Sequence, residues 1–142
     1  MDYAKLKAVL QEPAYVTLTD ANAATALNVA DLTVTFENHI NAKGLMAELG
    51  GVIGATILDK LETVAVNSPP VKWVMKSIDG GDGVDVGHAE TRAMLDSLVG
   101  VLTQAEVDAV KALGEKTVSR SEDEGFGEVS EQIVNNARTM QW

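Results

Sequence analysis

Thr103 with Glu106, and Ser119 with Glu122, repeat one spacing a short way apart in the chain. It is the spacing of a capping box, in which a hydroxyl and a carboxylate three residues later satisfy each other's backbone N–H groups at the start of a helix. This constrains the fold more than any other feature, because it fixes where two helices begin. Upstream, Met94, Leu95, Leu98 and Val99 recur at helical spacing and Gly100 supplies a left-handed stop. Downstream, Val107, Val110 and Leu113 form the inner stripe of a second helix that ends near Gly114. Helices joined so tightly must fold back as an αα-hairpin, so residues 88–127 read as a central helical hairpin. Gly125 and Gly127 then hold Phe126 in a tight reversal.

The rest of the chain is punctuated in the same way. Tyr3, Leu6, Val9 and Leu10 share a helical face, and Pro13 stops that face from extending, which makes residues 1–12 an N-terminal docking helix. Thr19 or Asp20 caps an alanine-rich helix anchored by Leu27, with Asn28 suited to its left-handed end. Leu32, Thr33, Val34, Thr35 and Phe36 alternate with period two and read as a brief strand or extended arm. Such an arm needs a partner: residues 84–86 are one possibility and a neighbouring subunit is another. A helix with Ile40, Leu45 and Leu49 inward runs over residues 37–49 and breaks at Gly50-Gly51. Residues 52–66 form the most apolar helix, with Ile53, Ile57, Leu58, Leu61 and Val64 spread over more than one face. Pro69-Pro70 opens a helix in which Trp73 is expected to be a major buried surface. A loop over residues 79–83 leads into the hairpin, and Ser130 caps a last helix over residues 130–142. The expectation is a mainly α protein: one small helical domain over residues 1–142, built on αα-hairpins with at most one short strand pair or extended arm.

Charge and composition narrow the function classes. Eleven Lys and Arg against 21 Asp and Glu give a net charge of -10, which repels a phosphate backbone. Lys72 and Lys76 around Trp73 are too few for a nucleic-acid stripe, so no nucleic-acid partner is expected. With no cysteine, disulfides, thiolate nucleophiles and sulfur-ligated zinc are excluded. The nearly uncharged run over residues 49–58 is too short to span a membrane, and a soluble protein made in the cytoplasm is expected.

Catalytic and metal motifs are thin. Asp79, Asp82, Asp85 and Glu90 invite a calcium-loop reading, but the loop's third and fifth positions are Gly and its sixth is Val84, where the turn requires Gly. Gly81, Gly83 and Gly87 lack the dinucleotide-binding spacing. His39 and His88 are isolated, each near an expected helix start, and no GxSxG elbow occurs. The sequence therefore assigns no catalytic residue, no cofactor-binding residue and no metal ligand, and the expectation is a protein that is not an enzyme and carries no cofactor.

The opening DYAKLKAVLQEPAYVTLTDANAATALN resembles a family of small proteins encoded in the structural-gene regions of tailed bacteriophages, whose members carry an LKAE-like helix, a "DPxYxGxTD" turn and an "AAxxLN" helix. The segment LVGVLTQAEVDAVKALGEKTVSRSEDEGFGEVSEQIVNNAR is similar to that family's "LVAAGVLTxxxxxALLALAxxxxSRAEELGLGxVxxxxVxxAR" pattern. Glu12 stands where the family has Asp before Pro13, and the family's Gly is missing from the Thr17-Leu18 step; both departures lie in a turn. The family is mostly without assigned activity. The resemblance implies a non-enzymatic structural component of the virion, at the neck, the head–tail connection or the tail, that contacts other phage structural proteins and forms a homo-oligomer in the particle. The competing expectation is a small soluble phage regulator that binds a host protein. The expected interface comprises Leu32, Val34 and Phe36 of the arm, with Gly51, Gly54 and Ala55 of the apolar helix, whose small residues admit close approach.

Overall fold

A computed structural model of the chain describes residues 1–140; Gln141 and Trp142, where the last helix was expected to end, lie outside the described residues. The element order is α1 (Tyr3–Leu10), α2 (Asp20–Asn28), β1 (Leu32–Thr35), β2 (His39–Ile40), α3 (Ala42–Leu49), α4 (Gly51–Ala65), α5 (Pro69–Asp79), β3 (Val84–Asp85), α6 (Ala89–Ser97), α7 (Gln104–Ala112), β4 (Glu115–Val118), α8 (Arg120–Asp123) and α9 (Glu131–Thr139). The protein is mainly α, with two short two-stranded sheets, β1 with β4 and β2 with β3.

Its backbone divides into two units. The first combines Met1–Val34 with the segment from Thr117 onward, and the second is the continuous stretch Thr35–Lys116. The expected central hairpin over residues 88–127 is therefore shared out: α6 and α7 belong to the second unit and α8 to the first. Helical periodicity alone could not show this, because it is blind to β4, which follows Gly114.

The first unit packs Leu6, Val9 and Leu10 of α1 against Ala23, Ala24 and Leu27 of α2, with Phe126, Val129, Val134 and Ala137 completing the core. Small alanines let α2 lie close to α9. Asn28 does not take a left-handed backbone; among the described residues every positive φ belongs to glycine. Its side chain works instead. Asn28 Nδ2 donates to the Val129 carbonyl at 2.7 Å, and Oδ1 accepts from Val129 N–H at 3.0 Å and from the Ser121 hydroxyl at 3.2 Å. Ser121 is buried and lies 2.9 Å from the Ser119 hydroxyl.

The second unit is built on Leu45, Ile57, Leu61, Val71, Met75, Ile78, Val86, Leu95, Leu98, Leu102, Val107 and Val110. Both expected capping boxes are present, Thr103 with Glu106 and Ser119 with Glu122. Helix α3 begins later than the sequence suggested, at Ala42 under an Asn41 cap, because His39 and Ile40 are drawn into pairing with β3. Asn38 explains why. Its N–H donates to Asp85 Oδ1 at 3.0 Å, its carbonyl accepts from Val86 N–H at 3.1 Å, and its Nδ2 donates to the Leu113 carbonyl at 2.7 Å. Two glycines make this convergence sterically possible. A Cβ on Gly87 would lie 1.8 Å from the Phe36 carbonyl oxygen, and one on Gly114 would lie 2.5 Å from the Val86 oxygen.

Two core expectations are corrected. Trp73 is 63% exposed: its neighbours on α5, Val71, Met75 and Ile78, supply the buried stripe, and the indole lies outside it with the Lys76 ammonium 4.2 Å from the ring centroid. Ile53 is also exposed, because it sits in the first turn of α4, before Ile57 and Leu61 reach the core.

Leu98 is 7% exposed, and Leu98→Ala is expected to lower stability by about 2 to 5 kcal/mol. Thr103→Ala should cost roughly 0.5 to 2 kcal/mol by removing a cap, and Trp73→Ala about 1 kcal/mol or less. Chemical denaturation that ranked Trp73→Ala above Leu98→Ala would contradict this assignment of faces.

Candidate functional site

Several of the residues that carry the resemblance hold the first unit together. Thr19 caps α2, and Asp20 accepts from Arg138 Nη1 at 2.6 Å and from Asn135 at 3.0 Å. The same guanidinium donates to the Leu18 and Tyr15 carbonyls, both at 2.9 Å. Arg120 bridges Glu12 at 3.0 Å and Glu124 at 2.7 Å, while Lys5 reaches Glu124 at 3.0 Å. Glu12, one of the departures from the family pattern, thus still offers a carboxylate to the arginine. Gly125 and Gly127 adopt φ of 79° and 69° and turn Phe126 into the core. These motifs are structural, and none brings together a nucleophile and a base.

The six expected interface residues are divided between the units. Leu32 and Val34 lie in the first unit and Phe36, Gly51, Gly54 and Ala55 in the second. Along the arm Leu32, Val34 and Phe36 are half-buried while Thr33 and Thr35 are exposed, so the period-two reading holds. Its partner is β4; residues 84–85 pair with β2 instead. Phe36 N–H donates to the Gly114 carbonyl at 2.9 Å, and Lys116 lies 5.5 Å from the Phe36 ring centroid. A two-stranded sheet still leaves each strand one outer edge.

On α4 the small residues play different parts. Gly54 is used internally: a Cβ there would lie 2.7 Å from Met46 Cα, so this glycine lets α3 and α4 close on each other. Ala55 is half-buried, and Gly51 is exposed with open space before it. What the helix offers outward is Val52, 83% exposed, and Ile53, 53% exposed. These two side chains, with Thr56, Ala105, Glu106 and Ala109, line a shallow apolar groove on the second unit. Sequence reasoning missed the α7 side of that groove, although Ala105 and Ala109, one turn apart opposite Val107 and Val110, carry its signal.

At the groove's border Glu106 Oε1 lies 2.6 Å from Lys60 Nζ and accepts the Thr103 N–H at 2.9 Å. The Lys60 hydrogen bond first, and then the Thr103 N–H, hold the Glu106 carboxyl below the usual carboxylate range. The groove therefore combines an apolar floor with an ionised rim.

A second cluster lies at the β2–β3 corner. The register sets His39 opposite Asp85 and Ile40 opposite Val84. Glu37 and His39, two residues apart, point to the outside while Asn38 points inward, and His39 Nε2 lies 2.9 Å from Glu37 Oε1. Asp85 Oδ1 accepts the N–H groups of Asn38 and Gly87, both at 3.0 Å; the Asn38 bond is the main reason that this carboxyl titrates below its ordinary range. Ligand atoms of Glu37, His39 and Asp85 all fall within 4.8 Å of one another. Asp79, Asp82 and Glu90 are not part of any such group among the described residues. His88 is separately engaged, its Nδ1 accepting Glu90 N–H at 3.2 Å as the cap of α6.

No protein-family model, curated protein or solved structure matches the chain.

Hydrogen bonds from Asn135 and then Arg138 lower the Asp20 pKa. A carboxyl with a lowered folded-state pKa adds stability that is complete above its unfolded pKa and lost as pH falls through the folded value. Asp20→Asn is accordingly expected to unfold more readily than the parent at pH 7, with the difference shrinking as the medium is acidified below the carboxylate range. Denaturant midpoints at pH 7 and near pH 3 test this; an equal difference at both would contradict it.

Proposed function

We propose that this chain is a non-enzymatic assembly protein of a tailed-bacteriophage particle, placed at the neck, the head–tail connection or the tail and acting through repeated contacts with its own copies and with neighbouring structural proteins. The observation that carries the reading to a particular surface is the outward presentation of Val52 and Ile53 beside Ala105 and Ala109. Two large aliphatic side chains on the first turn of a helix, held in water, have no role in the second unit's own core, and a polar-rimmed apolar groove is the composition of a protein-docking surface.

The resemblance supplies the phage context. Parts of the matching segments share one core: α1 and α2 from the opening pack with Phe126, Val129 and α9 from the closing stretch. The outer edge of the β1–β4 ribbon offers a further mode of association, by β-addition, that needs no special side chains.

Mass spectrometry of purified particles is expected to find the chain in stoichiometric amount. Val52→Lys and Ile53→Lys, both at exposed positions, should leave the circular dichroism spectrum unchanged and sharply lower incorporation into particles. Normal incorporation of both variants would remove this groove from the assembly surface. A particle preparation without the chain would remove the virion reading itself and leave the soluble regulator as the account to pursue.

A further inference from the structure

We propose that Glu37, His39 and Asp85, at the β2–β3 corner, form a binding site for a first-row divalent transition-metal ion. Three features of the backbone place the ligands. Strand periodicity puts Glu37 and His39 on the same side of their segment, the β2–β3 register puts Asp85 directly opposite His39, and all three donor atoms lie within 4.8 Å of one another. With metal–ligand bonds of about 2.0 to 2.2 Å, ligand atoms around one ion stand roughly 3 to 4 Å apart. Closing the remaining difference requires only side-chain rotation by Glu37 and His39, whose side chains are 77% and 52% exposed.

The third ligand is already fixed. Asp85 Oδ1 accepts two backbone N–H groups, which orients the carboxylate and leaves its second oxygen for an ion, the kind of support that ligating carboxylates receive from the groups behind them. The backbone between the other two ligands is fixed as well, because Asn38 is bonded through its N–H, its carbonyl and its side-chain amide. The bland reading, a surface ion pair between His39 and Glu37, accounts for two of the three groups. It leaves out the Asp85 carboxylate, which the Asn38 and Gly87 N–H groups hold with a ligand atom within 4.8 Å of both partners of that pair. The chemistry of the donors selects the ion: one imidazole nitrogen with two carboxylate oxygens suits zinc, cobalt or nickel, whereas calcium and magnesium prefer all-oxygen sites. A net charge of -10 raises the local concentration of any cation.

The test is titration of the full-length, metal-free chain with zinc and with cobalt, by calorimetry and by the visible absorption of bound cobalt. The expected result is one saturable equivalent per chain, with magnesium competing poorly. Affinity should fall by about tenfold or more in Glu37→Gln, His39→Gln and Asp85→Asn, and stay unchanged in His88→Gln. Because Glu37 and His39 are exposed, their variants should keep the parent's circular dichroism spectrum, so the outcome does not depend on the tolerance of Asp85 to change. Nuclear magnetic resonance provides a direct reading, since the chain has only two histidines: zinc should shift the imidazole signals of His39 and spare those of His88. The absence of a saturable equivalent, affinity unchanged in both Glu37→Gln and His39→Gln, or a shift confined to His88 would each overturn the assignment.

Discussion

Three backbone segments that are remote in sequence converge at one point of the second unit, and the hydrogen bonds of Asn38 hold them there. Residues 36–38, 85–87 and 113–114 approach so closely that neither Gly87 nor Gly114 has room for a Cβ. Buried amide groups require partners, and Asn38 supplies partners to both of its neighbouring segments. The consequences spread outward from this point. The β2–β3 register follows from the bond between Asn38 and Val86, the position of Asp85 follows from its acceptance of the Asn38 and Gly87 N–H groups, and the late start of α3 follows from the use of His39 and Ile40 as strand. Arg92 reinforces the junction by donating to the carbonyls of Val86 at 3.2 Å and Lys111 at 2.9 Å and by pairing with Glu115. The first unit uses the same device at Asn28, which joins the end of α2 to Val129 and Ser121.

This economy separates scaffold from surface. The carboxylates and arginines that look most like chemistry in the sequence, Glu12, Asp20, Arg120, Glu124 and Arg138, are joined to one another or to carbonyl groups within the first unit. Charged groups so engaged are poor candidates for reactive roles, since their lone pairs and protons are already committed. Among the groups that face solvent are the aliphatic side chains at the start of α4 and the small nitrogen–oxygen cluster at the β2–β3 corner.

Most of the helical architecture was legible because it is locally encoded. Thr19, Thr103, Ser119 and Ser130 each cap a helix through their own side chains, and the interior stripes of α1, α7 and α9 recur at helical spacing. The errors fall where structure depends on distant residues. Strand β4 was invisible because Glu-Lys-Thr-Val lacks alternation and becomes a strand through pairing with β1. Trp73 was placed inside on the strength of its size, although the stripe of Val71, Met75 and Ile78 already fills that face. Gly54 read as an opening for a second chain, whereas α3 occupies the space. In the candidate sites, the period-two relation of Glu37 and His39 was present in the sequence but hidden by a helical reading of residues 37–49. Their meeting with Asp85 depends on register, which no local pattern records.

The interleaved course of the chain has a consequence for its biosynthesis. Thr35–Lys116 is a continuous segment, so everything its core requires has left the ribosome by the time Lys116 emerges. The other core cannot close then, because Leu6, Leu27 and their neighbours await Phe126, Val129, Val134 and Ala137. A nascent chain consequently carries the apolar faces of α1 and α2 uncovered while its middle matures. Translation delivers folding units in the order in which they become complete, and here the earlier α1 and α2 meet the rest of their core only after the middle segment is complete.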